Sequence, residues 1–450
     1  MTFNGLLNEY KRKTPKGALH YEKAKAILPG GVSGSGKFLK PYPIYVKSAS
    51  GCRFTDLDGN TYVDLLMGNG ANILGHANES IRNAVSVAID SPPFTFLAHE
   101  RELLLAEKIC KHVPSMEMVR FANSGSEAVH MSIRTALAYT KRKKIAKFEG
   151  HFNGSFDLLL ASTARIEGPP ENPIPTLHWA GVPQSNLENI LVLPFNDIDN
   201  SIALIKKHAH EIAAVVLEPV TGFMLGCVPC DVEFLKAIRK ITTENDIILI
   251  FDEIVTGFRL AMGGAAEHFQ VEPDMHAMGK AFCGGYPICC YGGAKSIMES
   301  VVTPTKEPSD LDEKIFQSGT FTGHPISCAA GLTVLQELEK GEVIPYINSS
   351  GEYMRDNIEK IAKKRKCPVQ VTGCGSMFSI YFSDHAIKNK RDAMTVDAKK
   401  SMEFSMRLLL EGVYLPHAHP ALLSYAHTKD DLDYVLSVID KVLIADLFHE

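Results

Sequence analysis

The sequence predicts an α/β protein: a mostly parallel sheet flanked by helices, preceded by an N-terminal arm and followed by a smaller α+β unit. Three observations carry that prediction. Short apolar runs, largely β-branched, recur through the middle of the chain, as at 212–217 and 247–251. Segments with apolar residues at helical spacing alternate with them, as at 126–142 and 232–245. The apolar runs lack the in-out pattern of half-solvated strands, and strands buried on both faces belong to sheets covered by helices on each side.

In chain order, residues 1–60 read as the arm, with hairpin-turn chemistry at Asp58-Gly59. Residues 61–335 read as the large domain. Its 126–142 segment carries Ala128, Met131, Ile133, Ala136 and Leu137 at helical spacing, and Lys144-Ile145-Ala146-Lys147-Phe148 alternates like a strand. Residues 336–450 read as the small C-terminal α+β domain, with a short strand at 377–382.

Composition narrows the function. The 450 residues carry 47 Lys plus Arg against 52 Asp plus Glu, a formal charge of −5, with 45% hydrophobic and 22% charged residues. That is an ordinary folded composition, too apolar for disorder. The mild acidity argues against nucleic-acid binding through bulk charge. The basic runs 141–144 and 363–366 fall at the ends of expected helices, where cations suit the helix dipole, and no aromatics interleave them for base stacking. No apolar run approaches the ~20 residues of a membrane span. Lys11-Arg12-Lys13 follow a short polar mixture, whereas an export signal puts basic residues before a long apolar core, so a cytoplasmic protein with reduced thiols is expected. Cys227-Val228-Pro229-Cys230 has C-x-x-C spacing without a second ligand pair, so no metal site is expected.

Three motifs carry chemistry. Ser124 and Glu127 have capping-box spacing ahead of an apolar helix, and Ser124, Gly125 and Ser126 would present backbone N–H groups and hydroxyls to an anion. The same spacing serves an ordinary helix cap. Leu249-Ile250-Phe251-Asp252-Glu253 is an apolar strand ending in two acids, and ligands bind at the carboxyl ends of such strands. Adjacent residues point to opposite faces, so at most one acid enters a site from the strand. Lys280 lies in an apolar, glycine-rich loop 28 residues beyond Asp252. Desolvation lowers a lysine pKa, as a Schiff-base lysine requires. In this order, an anion site, a strand-end acid and a glycine-flanked lysine are the parts of a pyridoxal 5'-phosphate enzyme.

The segments Asn123-Ser124-Gly125-Ser126-Glu127, Phe148-Glu149-Gly150, Glu218-Pro219-Val220, Asp252-Glu253-Ile254-Val255-Thr256-Gly257-Phe258-Arg259, Gly279-Lys280-Ala281 and Ser318-Gly319-Thr320-Phe321-Thr322-Gly323 resemble the class III aminotransferases of fold-type I. Within them, the chain is most similar to the branch of glutamate-1-semialdehyde 2,1-aminomutase and related aminotransferases, over nearly its whole length. The resemblance implies that Lys280 joins the cofactor aldehyde as a Schiff base and then shuttles a proton, while Asp252 pairs with the ring nitrogen. It implies Ser124, Gly125 and Ser126 on the phosphate, Ile254 on one ring face and Phe152 on the other, where a tyrosine is usual. Asn153 replaces the usual histidine. Thr320 would reach the phosphate from the other subunit of a homodimer with shared active sites.

The resemblance weakens on the substrate side. Lys37 stands where the mutase has an arginine, and Asn69 where it has a tryptophan. A glutamate of the mutase is missing from the segment Pro416-His417-Ala418-His419-Pro420-Ala421, and Phe223 and His324 replace asparagines. Lys37, Asn69, Glu218 and His417 are the substrate-contact candidates. These departures lead us to expect an aminotransferase working by ping-pong half-reactions between an amino acid or amine donor and an oxo-acid acceptor. The alternative is the mutase itself, which makes 5-aminolevulinate by intramolecular transfer.

Overall fold

In the computed structural model, which describes residues 2–90, 94, 96–304, 307 and 310–443, seven strands form the central sheet. Their order is Met118–Ala122, Cys289–Gly293, Met275–Met278, Ile248–Glu253, Ile212–Leu217, Lys144–Phe148 and Ile190–Leu193. Every pairing is parallel except the two made by Cys289–Gly293, which runs antiparallel to both neighbours. The mostly parallel sheet expected from sequence is therefore observed, with one reversed strand that no local pattern signals.

Side-chain alternation along the central strands sorts the layers. Ala214, Val216, Ile248 and Ile250 join one core cluster with residues of the helices Glu100–His112, Gly125–Thr140 and Pro325–Leu338. Val215, Leu217, Leu249 and Phe251 join the opposite cluster with residues of Ile198–His208 and Val232–Glu244. Asp252 continues the first face and Glu253 the second. The Lys144–Phe148 strand departs from its sequence pattern. Ile145 to Phe148 are all buried, because parallel strands flank this one on both sides.

The strands Val46–Ser50, Arg53–Asp56 and Thr61–Asp64 form an antiparallel ribbon, and Val413–Tyr414 adds to it in parallel beside Thr61–Asp64. A division of the chain at residue 60 thus runs through a sheet. Val63 and Leu65 bury themselves with Leu408, Val435 and Ile439 of the C-terminal helices Ala398–Leu410 and Lys429–Val442. The strands Gln370–Cys374, Met377–Tyr381 and Ala421–Leu422 make a second small antiparallel sheet. The first residues are helical, Phe3–Lys13 and Pro15–Ala24, and Leu6 and Tyr10 pack on Met406 and Leu409. No helix among the described residues is long and apolar enough to cross a membrane.

A fully buried arginine ties these parts together. Arg259 donates from Nη1 to Ser376 Oγ (3.0 Å) and the Leu423 carbonyl (2.8 Å), and from Nη2 to the Gly70 carbonyl (2.8 Å). Burial pushes its pKa down to about 10, so it stays charged at neutral pH. Removing it strands buried acceptors on three segments and leaves a cavity. Arg259→Ala is expected to destabilise the fold by about 3–5 kcal/mol, read from the urea midpoint. Arg259→Lys is expected to recover only part, since one ammonium cannot span all three acceptors.

Candidate active site

The carboxyl end of the Ile248–Glu253 strand organises the site. Asp252 is 6% exposed. Its Oδ2 accepts a hydrogen bond from Asn153 Nδ2 (3.0 Å), and its Oδ1 accepts one from the Ile254 N–H (3.2 Å). Burial pushes its pKa up to about 6, against the pull of those two donors and of the Lys280 charge. Glu253 points the other way, as the strand period requires. It is fully buried, accepts from Thr256 Oγ1 and the Ala265 N–H, and meets His276 Nδ1 at 3.2 Å. It therefore faces away from Asp252's partners.

Lys280 opens the short 3₁₀ helix Lys280–Cys283 that follows the Met275–Met278 strand. Its φ of 42° lies in the left-handed region, a conformation that costs a lysine of order 1 kcal/mol and persists only where the surroundings impose it. Burial lowers the pKa of its amine, while the charges of Asp252 and Glu218 act in the opposite direction. A half-buried, less basic amine is a better nucleophile than a surface lysine's.

Glu218 follows the Ile212–Leu217 strand and joins two loops. Its Oε1 accepts the Phe152 N–H (2.7 Å) and its Oε2 the Gly222 N–H (2.8 Å). Burial, and then the Asp252 charge, push its pKa upward. The result is a pKa of about 8, against the pull of the two N–H bonds and of the Lys280 charge. By fixing both loops, Glu218 places the Phe152 and Phe223 rings edge to face, 5.4 Å apart. Phe223 in turn meets the His419 ring at 4.8 Å. His419 Nδ1 lies 3.2 Å from the His417 carbonyl, and burial lowers the His419 pKa, so the imidazole is neutral at pH 7. The three rings make a wall that runs from the large sheet's loops to the C-terminal segment.

The anion cradle lies at the start of the helix Gly125–Thr140. Ser124 Oγ accepts the Glu127 N–H (3.2 Å). Glu127 Oε2 accepts from the Asn123 N–H, one residue before the cap, rather than from Ser124 as in a full capping box. The N–H groups of Gly125 and Ser126 have no acceptor among the described residues and can hold an anion. Ser126 Oγ also accepts the Ser155 N–H (3.1 Å), which joins the cradle to the loop bearing Phe152 and Asn153. Gly125 lies so close to Ile254 that a Cβ there would be 2.9 Å from Ile254 Cγ2.

Sequence reading located Ser124, Gly125, Ser126, Phe152, Glu218, Asp252, Ile254 and Lys280, and these contacts and charge interactions bring them together. The other candidates have exposed side chains. Lys37 is exposed and donates to Ser33 Oγ (2.9 Å), and the Asn69 and His417 side chains are exposed. Thr320 is exposed, in a turn whose Gly319 packs near Asn123 and Glu127. His419, not His417, is the histidine that meets Phe223. Sequence reading passed over Lys147, although a lysine inside an otherwise apolar strand was the available signal. No cluster of three or more His, Cys, Asp or Glu among the described residues could hold a metal.

These residues fit pyridoxal 5'-phosphate. The cradle offers free donors to a phosphate, a buried carboxylate raised by desolvation calls for a cationic partner such as a protonated ring nitrogen, and Asn153 Oδ1 is a buried acceptor still without a donor. Two outcomes follow. The affinity of the cofactor-free protein for pyridoxal 5'-phosphate, measured by equilibrium dialysis, is expected to rise as pH rises through about 6, because ionised Asp252 is lost below that pH. Asp252→Asn removes this step. Gly125→Ala favours the helix by up to ~1 kcal/mol but displaces Ile254, so cofactor affinity is expected to fall about tenfold with thermal stability kept.

The sequence profile of the family Aminotransferase class-III matches residues 37–443. The glutamate-1-semialdehyde 2,1-aminomutase of Methanosarcina acetivorans is 39% identical over 421 residues, covering 92% of this chain and 95% of that protein. An omega-transaminase from Sphaerobacter thermophilus superposes with a TM-score of 0.89 at 34% identity, covering 95% of this chain and 97% of that one. A transaminase with PLP bound superposes with a TM-score of 0.85 at 28% identity, covering 96% and 97%. The chain belongs to the class III aminotransferases, fold-type I enzymes that work with pyridoxal 5'-phosphate.

Proposed function

We propose that this enzyme is an intermolecular aminotransferase that takes an amine or amino acid donor with an apolar or aryl group and passes its amino group to an oxo acid. The carrying observation is the Phe152–Phe223–His419 wall, a continuous apolar surface ending in a neutral imidazole. The names of the curated relatives favour the second reading, glutamate-1-semialdehyde 2,1-aminomutase. Against it stand Phe223 and Lys37, where the resemblance leads one to expect other residues, while the omega-transaminase likeness favours transfer between molecules.

The roles follow from chemistry. Bound, the cofactor supplies an aldehyde that captures amines and a ring that accepts the electrons released at the substrate carbon. Lys280 is the base that takes the proton from that carbon and returns it one atom away, a task suited to its lowered basicity. Asp252 holds the ring nitrogen's proton, and Asn153 holds Asp252 in line. Phe152 and Ile254 would hold the ring between them, and Ser124, Gly125 and Ser126 would hold the phosphate. Water is excluded by the Phe223 and His419 rings.

We further propose a homodimer with shared active sites. Thr320 lies on a surface that exposes Phe96, Leu97, Phe316 and Phe321, an apolar patch of the kind that subunit interfaces cover.

The deciding assay offers the enzyme a panel of amines and amino acids, with pyruvate or 2-oxoglutarate as acceptor. Transfer from apolar donors is expected, with Phe223→Ala and His419→Ala each raising KM about tenfold, as the loss of about 1–2 kcal/mol of apolar contact predicts. Steady 5-aminolevulinate from glutamate-1-semialdehyde without acceptor, and no transfer from the panel, would establish the mutase instead.

A further inference from the structure

Lys147 is fully buried in the Lys144–Phe148 strand. Its Nζ donates to three carbonyl oxygens: His151 (3.1 Å), Leu159 (2.8 Å) and Ala161 (2.8 Å). A carbonyl can only accept, so all three bonds need three protons on nitrogen, which the ammonium has and a neutral amine lacks. The acceptors bracket the loop that carries Phe152, Asn153 and Ser155. Lys147 is in register with Val216, two residues before Glu218, and the strand beyond that one ends in Asp252-Glu253. The titratable groups facing it are therefore Glu218, Asp252 and His151. Burial lowers its pKa to about 7, both carboxylates act in the opposite direction, and the three carbonyl acceptors favour the ammonium. His151 accepts the Glu218 N–H at Nδ1 (3.1 Å) and is kept neutral by burial and by the Lys147 charge.

We infer that Lys147 is a second functional lysine, a positioning cation. Its ammonium pins both ends of the 151–161 loop, and its charge favours the ionised forms of Asp252 and Glu218. It forms no bond to the cofactor. It acts through the loop that places Phe152 on the ring and Asn153 on Asp252, and through the local field. A buried cation costs several kcal/mol to desolvate, and an apolar residue would serve packing better. The charge is therefore kept for the neighbouring carboxylates.

The inference rests on the amino-group-transfer reading of this site, but its test uses no turnover, so the two can fail separately. The probe is pyridoxal 5'-phosphate itself, with Lys147→Met and Lys147→Arg. Two quantities are read: the cofactor's dissociation constant, and the pH midpoint of the bound cofactor's visible absorbance. Removing a positive charge favours the protonated forms of its neighbours. Lys147→Met is therefore expected to weaken cofactor binding about tenfold or more and to raise the midpoint by about one pH unit. Lys147→Arg is expected to keep the wild-type midpoint, whatever its effect on affinity. A purely structural lysine would change thermal stability and leave the midpoint alone. Wild-type affinity and midpoint in Lys147→Met would overturn the inference. If Lys147→Met does not fold, Lys147→Arg decides, and a displaced midpoint with the charge retained would overturn it.

Discussion

Asp252 ends a strand whose preceding residues are apolar and fully enclosed, and a carboxylate there is costly unless donors or a cation meet it. Most of the site can be understood as the answer to that cost. Asn153 and the Ile254 N–H supply two hydrogen bonds, Lys280 supplies charge, and Lys147 adds a second buried cation behind the loop. The balance is incomplete, which is why the pKa of Asp252 stays raised. A protonated ring nitrogen would complete it. The protein thus stores an unmet preference for a cation at the point where the cofactor needs an anion.

The loops that meet this need are held from outside the large sheet. Arg391 grips Glu149 with two hydrogen bonds, Nε to Oε2 (2.9 Å) and Nη2 to Oε1 (2.7 Å), and its Nη1 donates to the Gly168 carbonyl. Lys390 donates to the Met224 carbonyl (2.9 Å), beside Phe223. Both basic residues come from the C-terminal half of the chain. Arg259 makes a comparable link lower in the molecule. The catalytic loops are therefore set by the docking of one sheet system against another, and their precision depends on buried polar contacts that tolerate little displacement.

Much of this could be read from residue order. Buried-strand runs marked the sheet, and the strand-end Asp252, the glycine-flanked Lys280 and the serine-rich helix start marked the cofactor. The unread parts share a physical cause: they depend on neighbours distant in sequence. Cys289–Gly293 is reversed by its place between two other strands, not by any local pattern. Lys147 belongs to a segment that alternates like a half-exposed strand, and only the flanking parallel strands show it to be enclosed. His419 outranks its neighbour His417 because Phe223, some 200 residues earlier in the chain, lies beneath it. The division at residue 60 is a different case: it cuts a local hairpin, since Arg53–Asp56 pairs with Thr61–Asp64 across the Asp58-Gly59 turn.

Lys280, and not Lys147, is the lysine proposed to carry the cofactor covalently. Reduction of the holoenzyme with borohydride fixes the lysine–cofactor C=N bond as a stable amine, and peptide mass spectrometry then locates the modified residue. A single pyridoxyl group is expected, on Lys280, and none in Lys280→Ala. A pyridoxyl group on Lys147, or an unmodified Lys280 in a protein saturated with cofactor, would contradict it.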